Sequence, residues 1–207
     1  VCPACGTDVG GESRWRLCAT CLDSLEKIFD PFRDPAWRHL DGLACSVAYG
    51  GAAGVLVRRM KYDGRRELAG DLARLMAGTW ERTPVLRGVD AVAPVPLHPV
   101  RARERGFNQA ALLAGEVLRL GGSPGLLLDG RLRRARRTRS QALLERSERA
   151  ENVRDAFTYE GEPEAVRGRT VLLIDDVCTT GATLDACAAA LKRAGAARCY
   201  ALTAAKG

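Results

Sequence analysis

The chain has 207 residues, 46% of them hydrophobic and 28% charged, which suffices for one α/β core with a small appendage. No apolar run approaches the roughly 20 residues of a membrane-spanning helix, so membrane insertion is excluded and a cytoplasmic location is expected; a chain opening on Val1 rather than Met gives the missing leader little weight. The formal charge of +7 is concentrated: between Arg131 and Arg149 eight arginines face only Glu145 and Glu148. Such an arm suits a polyanion, whether nucleic acid or polyphosphate, or is a solvated loop.

In chain order, a cysteine-rich head comes first. Cys2 and Cys5, then twelve residues, then Cys18 and Cys21 form two C-x-x-C pairs at zinc-knuckle spacing. Four thiolates would fill a tetrahedral shell with no open position, so one structural zinc is expected, which would supply folding energy that so small a head lacks. Two disulfides and a rubredoxin-like iron are the alternatives. Cys45, Cys178, Cys187 and Cys199 lie in apolar stretches and read as buried thiols. The boundaries expected are a ribbon with a short helix at 1–29, a linker at 30–41 marked by Pro31 and Pro35, and an α/β domain at 42–207.

Within that domain, 43–49 reads as a strand ended by Gly50 and Gly51. Helices are predicted at 52–62 and 66–82, split by Asp63 and Gly64. A short strand at 90–95 leads into a proline-bounded loop from Pro96 to Gly106, and a helix follows at 107–120. Leu126 to Leu128 reads as a strand, followed by the arginine arm. Thr170 to Ile174 is a continuous apolar run of the kind found in a central parallel strand. A helix at 182–194 ends at Gly195, and 199–204 closes the sheet. Strands alternating with helices predict a mostly parallel sheet covered on both faces.

The chemistry is carried by Val171 to Thr183, VLLIDDVCTTGAT. Asp175 and Asp176 follow the apolar strand, at the carboxyl edge where α/β proteins bind ligands. Gly181 allows close backbone approach, the following helix start offers N–H groups to an anion, and Thr179, Thr180 and Thr183 add hydroxyls. Carboxylates for sugar hydroxyls and a phosphate cradle thus come from one loop. A Walker loop would need Gly-Lys-Ser/Thr and a dinucleotide fold would need G-x-G-x-x-G; both are missing. In receiver domains paired aspartates open the domain, whereas here 31 residues follow Asp176.

This run resembles the signature with which type I phosphoribosyltransferases bind phosphoribosyl pyrophosphate (PRPP). The rest of the chain resembles one branch of them, the ComF (competence protein F, GntX-like) family. The likeness includes the head from Cys2 to Gly6, Lys61 to Gly64, Pro94 to Leu97, and Arg105 to Gln109. It continues through Thr138, Gln141, Arg149, Asn152 and Phe157. Departures are Cys178, where a larger aliphatic is common, and a tail, Ala204 to Gly207, lacking a frequent arginine.

The resemblance implies a type I phosphoribosyltransferase fold behind an N-terminal zinc ribbon. Asp175 and Asp176 would be the catalytic pair, holding the ribose hydroxyls with Mg²⁺ nearby. The full PRPP-binding set would be Asp175, Asp176, Val177, Cys178, Thr179, Thr180, Gly181, Ala182 and Thr183. Arg101, Arg103 and Arg105, assisted by Lys61, would face the pyrophosphate. The arm at 131–149 takes the place of a hood, with Arg136, Arg137, Thr138 and Gln141 as candidates. The expected reaction passes the phosphoribosyl group to an acceptor the sequence does not identify. The alternative is a non-catalytic PRPP sensor or accessory factor of natural competence, with single-stranded DNA or DNA-uptake proteins as partners. His39 and His98 read as structural residues, and Cys178 lacks a base to activate it as a nucleophile.

Overall fold

A computed structural model describes residues 1–10, 13–28, 31–121, 125–134 and 156–207. Five strands form one all-parallel sheet: β1 (Gly42–Ala48), β2 (Ala91–Pro94), β3 (Leu126–Leu127), β6 (Thr170–Cys178) and β7 (Arg198–Lys206), in the order β1-β7-β6-β2-β3. The central strands are apolar at consecutive positions because helices cover both faces. Along β6, Leu172 and Ile174 join one buried cluster and Val171 and Leu173 the other, as the two-residue period of a strand requires.

On the first face lie α2 (Gly51–Tyr62), α3 (Ala69–Arg82) and α5 (Gln109–Gly121), through Leu56, Met60, Leu72, Met76, Leu113 and Val117. The head, with its short helix α1 (Ala19–Asp23), packs into this same cluster through Cys2, Leu17 and Leu25. Asp71 on α3, fully buried, fastens it: it accepts the Arg16 backbone N–H at 3.2 Å and pairs with the Arg74 guanidinium at 3.3 Å. Burial raises the pKa of the Asp71 carboxyl against the pull of these partners. The opposite face carries the helix that follows β6, Ala182–Arg193, through Leu184, Cys187 and Leu191.

Three expectations are corrected. The apolar strand does not end at Ile174; β6 runs on to Cys178 because β7 accompanies it to the pair Cys178↔Lys206, whereas β2 stops opposite Ile174. The stretch from Pro96 to Gly106 is not all loop. It contains α4 (Pro99–Arg105), started by Pro99 and by the His98 ring accepting the Val100 N–H at 3.2 Å, and ended by Gly106 at φ 76°. The next helix therefore begins at Gln109, where the Asn108 side chain accepts the Ala110 N–H at 3.0 Å.

A second, two-stranded sheet was not expected. β4 (Leu132–Arg134) and β5 (Phe157–Tyr159) pair antiparallel at the base of the arginine arm, with Leu132 and Phe157 buried in the second cluster. The helix Ala182–Arg193 is α6 in chain order. No helix among the described residues is long and apolar enough to cross a membrane.

Candidate functional site

Because β6 outruns β2, Asp175 and Asp176 stand beyond the end of β2 and line a cavity of about 790 Å³. The same cavity is bordered by Val177 to Thr183, the turn from β6 into α6. Lys61 and Tyr62 at the end of α2, Arg101 and Arg105 on α4, Gln109 at the start of α5, and Arg134 on β4 line its other sides.

The carboxylates are built into a network. Asp176, 2% exposed, accepts the Lys61 ammonium at 2.5 Å. It also receives the Gln109 side-chain amide at 3.4 Å, while Gln109 in turn accepts the Arg105 guanidinium at 2.5 Å. Asp175 accepts the Asp176 backbone N–H at 2.9 Å. Burial, then the adjacent Asp176, pushes the Asp175 carboxyl well above the usual carboxylate range. Burial alone would lower the Lys61 ammonium, but Asp176 and Asp175 outweigh it and raise the pKa. The free cavity thus carries its own counterion at the carboxylate pair.

Of the expected anion-binding arginines, Arg101 and Arg105 are one helical turn apart and both line the cavity. Arg103 is not among the lining residues, because a helix at 99–105 turns it about 200° from Arg101. Arg136, Arg137, Thr138 and Gln141 lie outside the described residues. Arg134, not singled out from sequence, lines the cavity with its guanidinium 5.5 Å from the Phe157 ring centre, and burial lowers its pKa. Gln109, marked in the sequence only as the end of the family-like run from Arg105, gains its role with the fold, since nothing local marks it as a partner for a residue 67 positions away. Cys178 is 3% exposed, and burial pushes its thiol up to about 12, which leaves it protonated and unreactive.

In the head, the sulfurs of Cys2, Cys5, Cys18 and Cys21 all lie within 4.8 Å of one another, with Cys5 and Cys18 3.5 Å apart. A tetrahedral zinc with Zn–S bonds of about 2.3 Å would set its sulfurs roughly 3.8 Å apart, so the cluster fits such an ion. Thr7, 3.2 Å from Cys5, draws that thiol down to about 6, whereas the hydrogen bond with Cys5 pushes Cys21 up to about 12. A cation held between these sulfurs would displace the protons that keep the thiols neutral.

Comparison with known proteins agrees with this geometry. A model of the phosphoribosyl transferase domain matches residues 128–206, from the β4–β5 ribbon through β6, its loop and β7. Competence protein F of Haemophilus influenzae is 30% identical over 198 residues, covering 93% of this chain and 80% of that protein. The DNA utilization protein YhgH of Salmonella typhi is 32% identical over 201 residues, covering 95% and 80%. Competence protein ComFC of Bacillus subtilis is 26% identical over 198 residues, covering 95% and 73%. Identity over 93–95% of the chain is more than a shared domain, and the chain belongs to the competence protein F (ComF) family.

Proposed function

We propose that the protein binds PRPP with Mg²⁺ and transfers its phosphoribosyl group to an acceptor, releasing pyrophosphate. One observation carries this reading. The carboxylate pair and a glycine-containing loop at a helix start border the same cavity, and Lys61, Arg101, Arg105 and Arg134 border it too. A sugar flanked by a phosphate monoester and a pyrophosphate asks for those three chemistries together.

In this reading Asp175 and Asp176 accept hydrogen bonds from the ribose 2′- and 3′-hydroxyls. Backbone N–H groups and hydroxyls from Thr179 to Thr183 take the 5′-phosphate. Arg101 and Arg105 lie against the pyrophosphate with Arg134, while Lys61 is released from Asp176 as the sugar enters. Two adjacent carboxylates offer the hard oxygen donors a magnesium ion prefers. Mg²⁺ carried in with the substrate supplies further neutralisation of the leaving charge. The bond from C1′ to the pyrophosphate oxygen breaks with its electron pair leaving on that oxygen, and an acceptor nitrogen forms the new bond to C1′ and gives up its proton to water. The cationic wall stabilises the charge as it develops.

Release of pyrophosphate from PRPP, assayed against nucleobases and small amines, tests this directly. Turnover with any acceptor supports transfer, and calorimetry decides binding separately. The names competence protein and DNA utilization protein carried by the relatives favour a second reading, a PRPP sensor within DNA uptake. Saturable PRPP binding with no pyrophosphate release under any acceptor would establish that one instead.

A further inference from the structure

The stretch expected to be a linker lies directly behind the phosphate loop. Phe32 pairs with Leu43 in an antiparallel bridge, which lays 31–41 beside β1. From there Trp37, 5% exposed, donates its indole N–H to the Thr180 carbonyl at 2.9 Å. Its ring fills the space beside Gly181 so fully that a Cβ on that glycine would lie 2.5 Å from the indole. Gly181 is also at φ +77°, where a side chain is strained in any case. Lys206, at the end of β7, donates to the Thr179 carbonyl at 2.5 Å and lies 5.5 Å from the Phe32 ring centre. Phe32 and Trp37 are in ring contact at 5.5 Å. Asp185 on α6 completes the attachment by accepting the backbone N–H groups of His39 at 2.7 Å and Leu40 at 2.8 Å.

From this arrangement we infer that Trp37 is a positioning residue for the phosphate loop. In a trans peptide the carbonyl and the next N–H point in opposite directions. Anchoring the Thr179 and Thr180 carbonyls from behind therefore turns the N–H groups of Thr180 and Gly181 away from Trp37 and Lys206. Thr179 and Thr180 border both the 790 Å³ cavity and the recess lined by Phe32, Trp37 and Lys206, so amides turned from this unit face the cavity, where the proposed reading seats a phosphate monoester. Asp185 would otherwise place a carboxylate near the start of α6, in competition with such an anion. Its hydrogen bonds to His39 and Leu40 commit it to the other side. The inference rests on the PRPP reading of the site and adds to it a residue outside the signature, 143 positions from its partner.

The test uses the full chain with Trp37→Phe, which keeps an aromatic ring and removes the donor, and with Trp37 replaced by 3-benzothienylalanine, an isostere without the N–H. Either should bind ribose 5-phosphate about five- to tenfold more weakly, the scale of one lost hydrogen bond. Inorganic pyrophosphate affinity should be unchanged, a split that a general loss of fold would not produce. In the free protein, amide exchange across 178–184 should quicken while β7 stays protected. Unchanged ribose 5-phosphate affinity in the isostere would overturn the inference. If the parent binds neither ribose 5-phosphate nor PRPP, the site reading falls and exchange decides the positioning role alone: faster exchange at 178–184 upholds it, and unchanged exchange ends it.

Discussion

The two walls of the cavity are made of different material. The wall from Val177 to Thr183 is backbone, bent by a glycine and fixed from behind by an indole and an ammonium. The wall opposite is side chains, with Lys61, Arg101, Arg105 and Arg134 reaching in from three separate elements. Backbone amides have one geometry, so the first wall can match one group of fixed shape. Long cationic side chains adapt and act through charge, so the second should tolerate change in steps and respond to salt. The carboxylate pair lines the same cavity, and in the proposed reading both walls depend on it to place the sugar.

The largest effect should therefore come from that pair. Asp175→Asn with Asp176→Asn is expected to reduce PRPP affinity by about 100-fold or more in calorimetry, the scale of two charge-assisted contacts. The fold should be retained. An unchanged affinity in a well-folded double variant would remove the carboxylates from the site and leave the walls with nothing in common.

Arg101→Ala with Arg105→Ala should weaken PRPP about tenfold at low salt and leave ribose 5-phosphate nearly unaffected. The loss should shrink as ionic strength rises. Equal losses for both ligands would mean that the walls are not divided by substrate group.

Asp175→Asn alone should show itself in stability. The folded pKa of Asp175 is raised, so its contribution is full below the ordinary aspartate value and lost as pH rises through the folded pKa. Asparagine has no proton to lose, so the variant should melt higher than the parent at pH 8, by about 2–4 °C for each kcal/mol regained. The gap should close as pH falls toward 4. A variant that melts lower at pH 8 would show that the cavity's cations over-compensate the pair.

The smallest effect on the cavity should follow removal of metal from the head. The head packs with α3 on one face of the sheet, while α6 and its loop lie on the other. Protein purified without added metal should contain one zinc per chain. A chelator should speed amide exchange at 1–28 while changing PRPP affinity less than about threefold, since sites without shared partners act nearly independently. A larger change would make the head a third determinant of the site. Absence of zinc together with two disulfides under reducing conditions would end the metal reading.

The signature was legible because its strand, carboxylates and loop are contiguous, so their order in the chain is their order in space. Four thiols at C-x-x-C spacing were legible for the same reason. What could not be read depends on elements distant in sequence. Whether β6 stopped at Ile174 or continued to Cys178 was decided by β7, which runs on beside it after β2 has ended. Arg103 was grouped with its neighbours because the stretch read as a loop, where all three could face one way. A helix begun by Pro99 and the His98 ring allows only Arg101 and Arg105 to do so. Trp37 was hidden in a segment whose prolines marked it as irregular. Composition shows that such a segment is neither helix nor strand, but not what it leans on.

The ribbon beneath the arginine arm has a consequence for how relatives can diverge. β4 and β5 pair from Leu132↔Tyr159 to Arg134↔Phe157, Arg133 is joined to Glu160 at 2.9 Å, and Leu132 and Phe157 are buried near α6. The pairing thus sets Arg134 and Phe157 about 5 Å apart, the spacing of paired strands. For any flexible segment whose ends a body already holds together, doubling its length costs only about 0.6 kcal/mol in closure entropy. A relative's segment exchanged for residues 135–155 should leave the sheet's melting temperature nearly unchanged, since Arg134, Ala156 and Phe157 are kept.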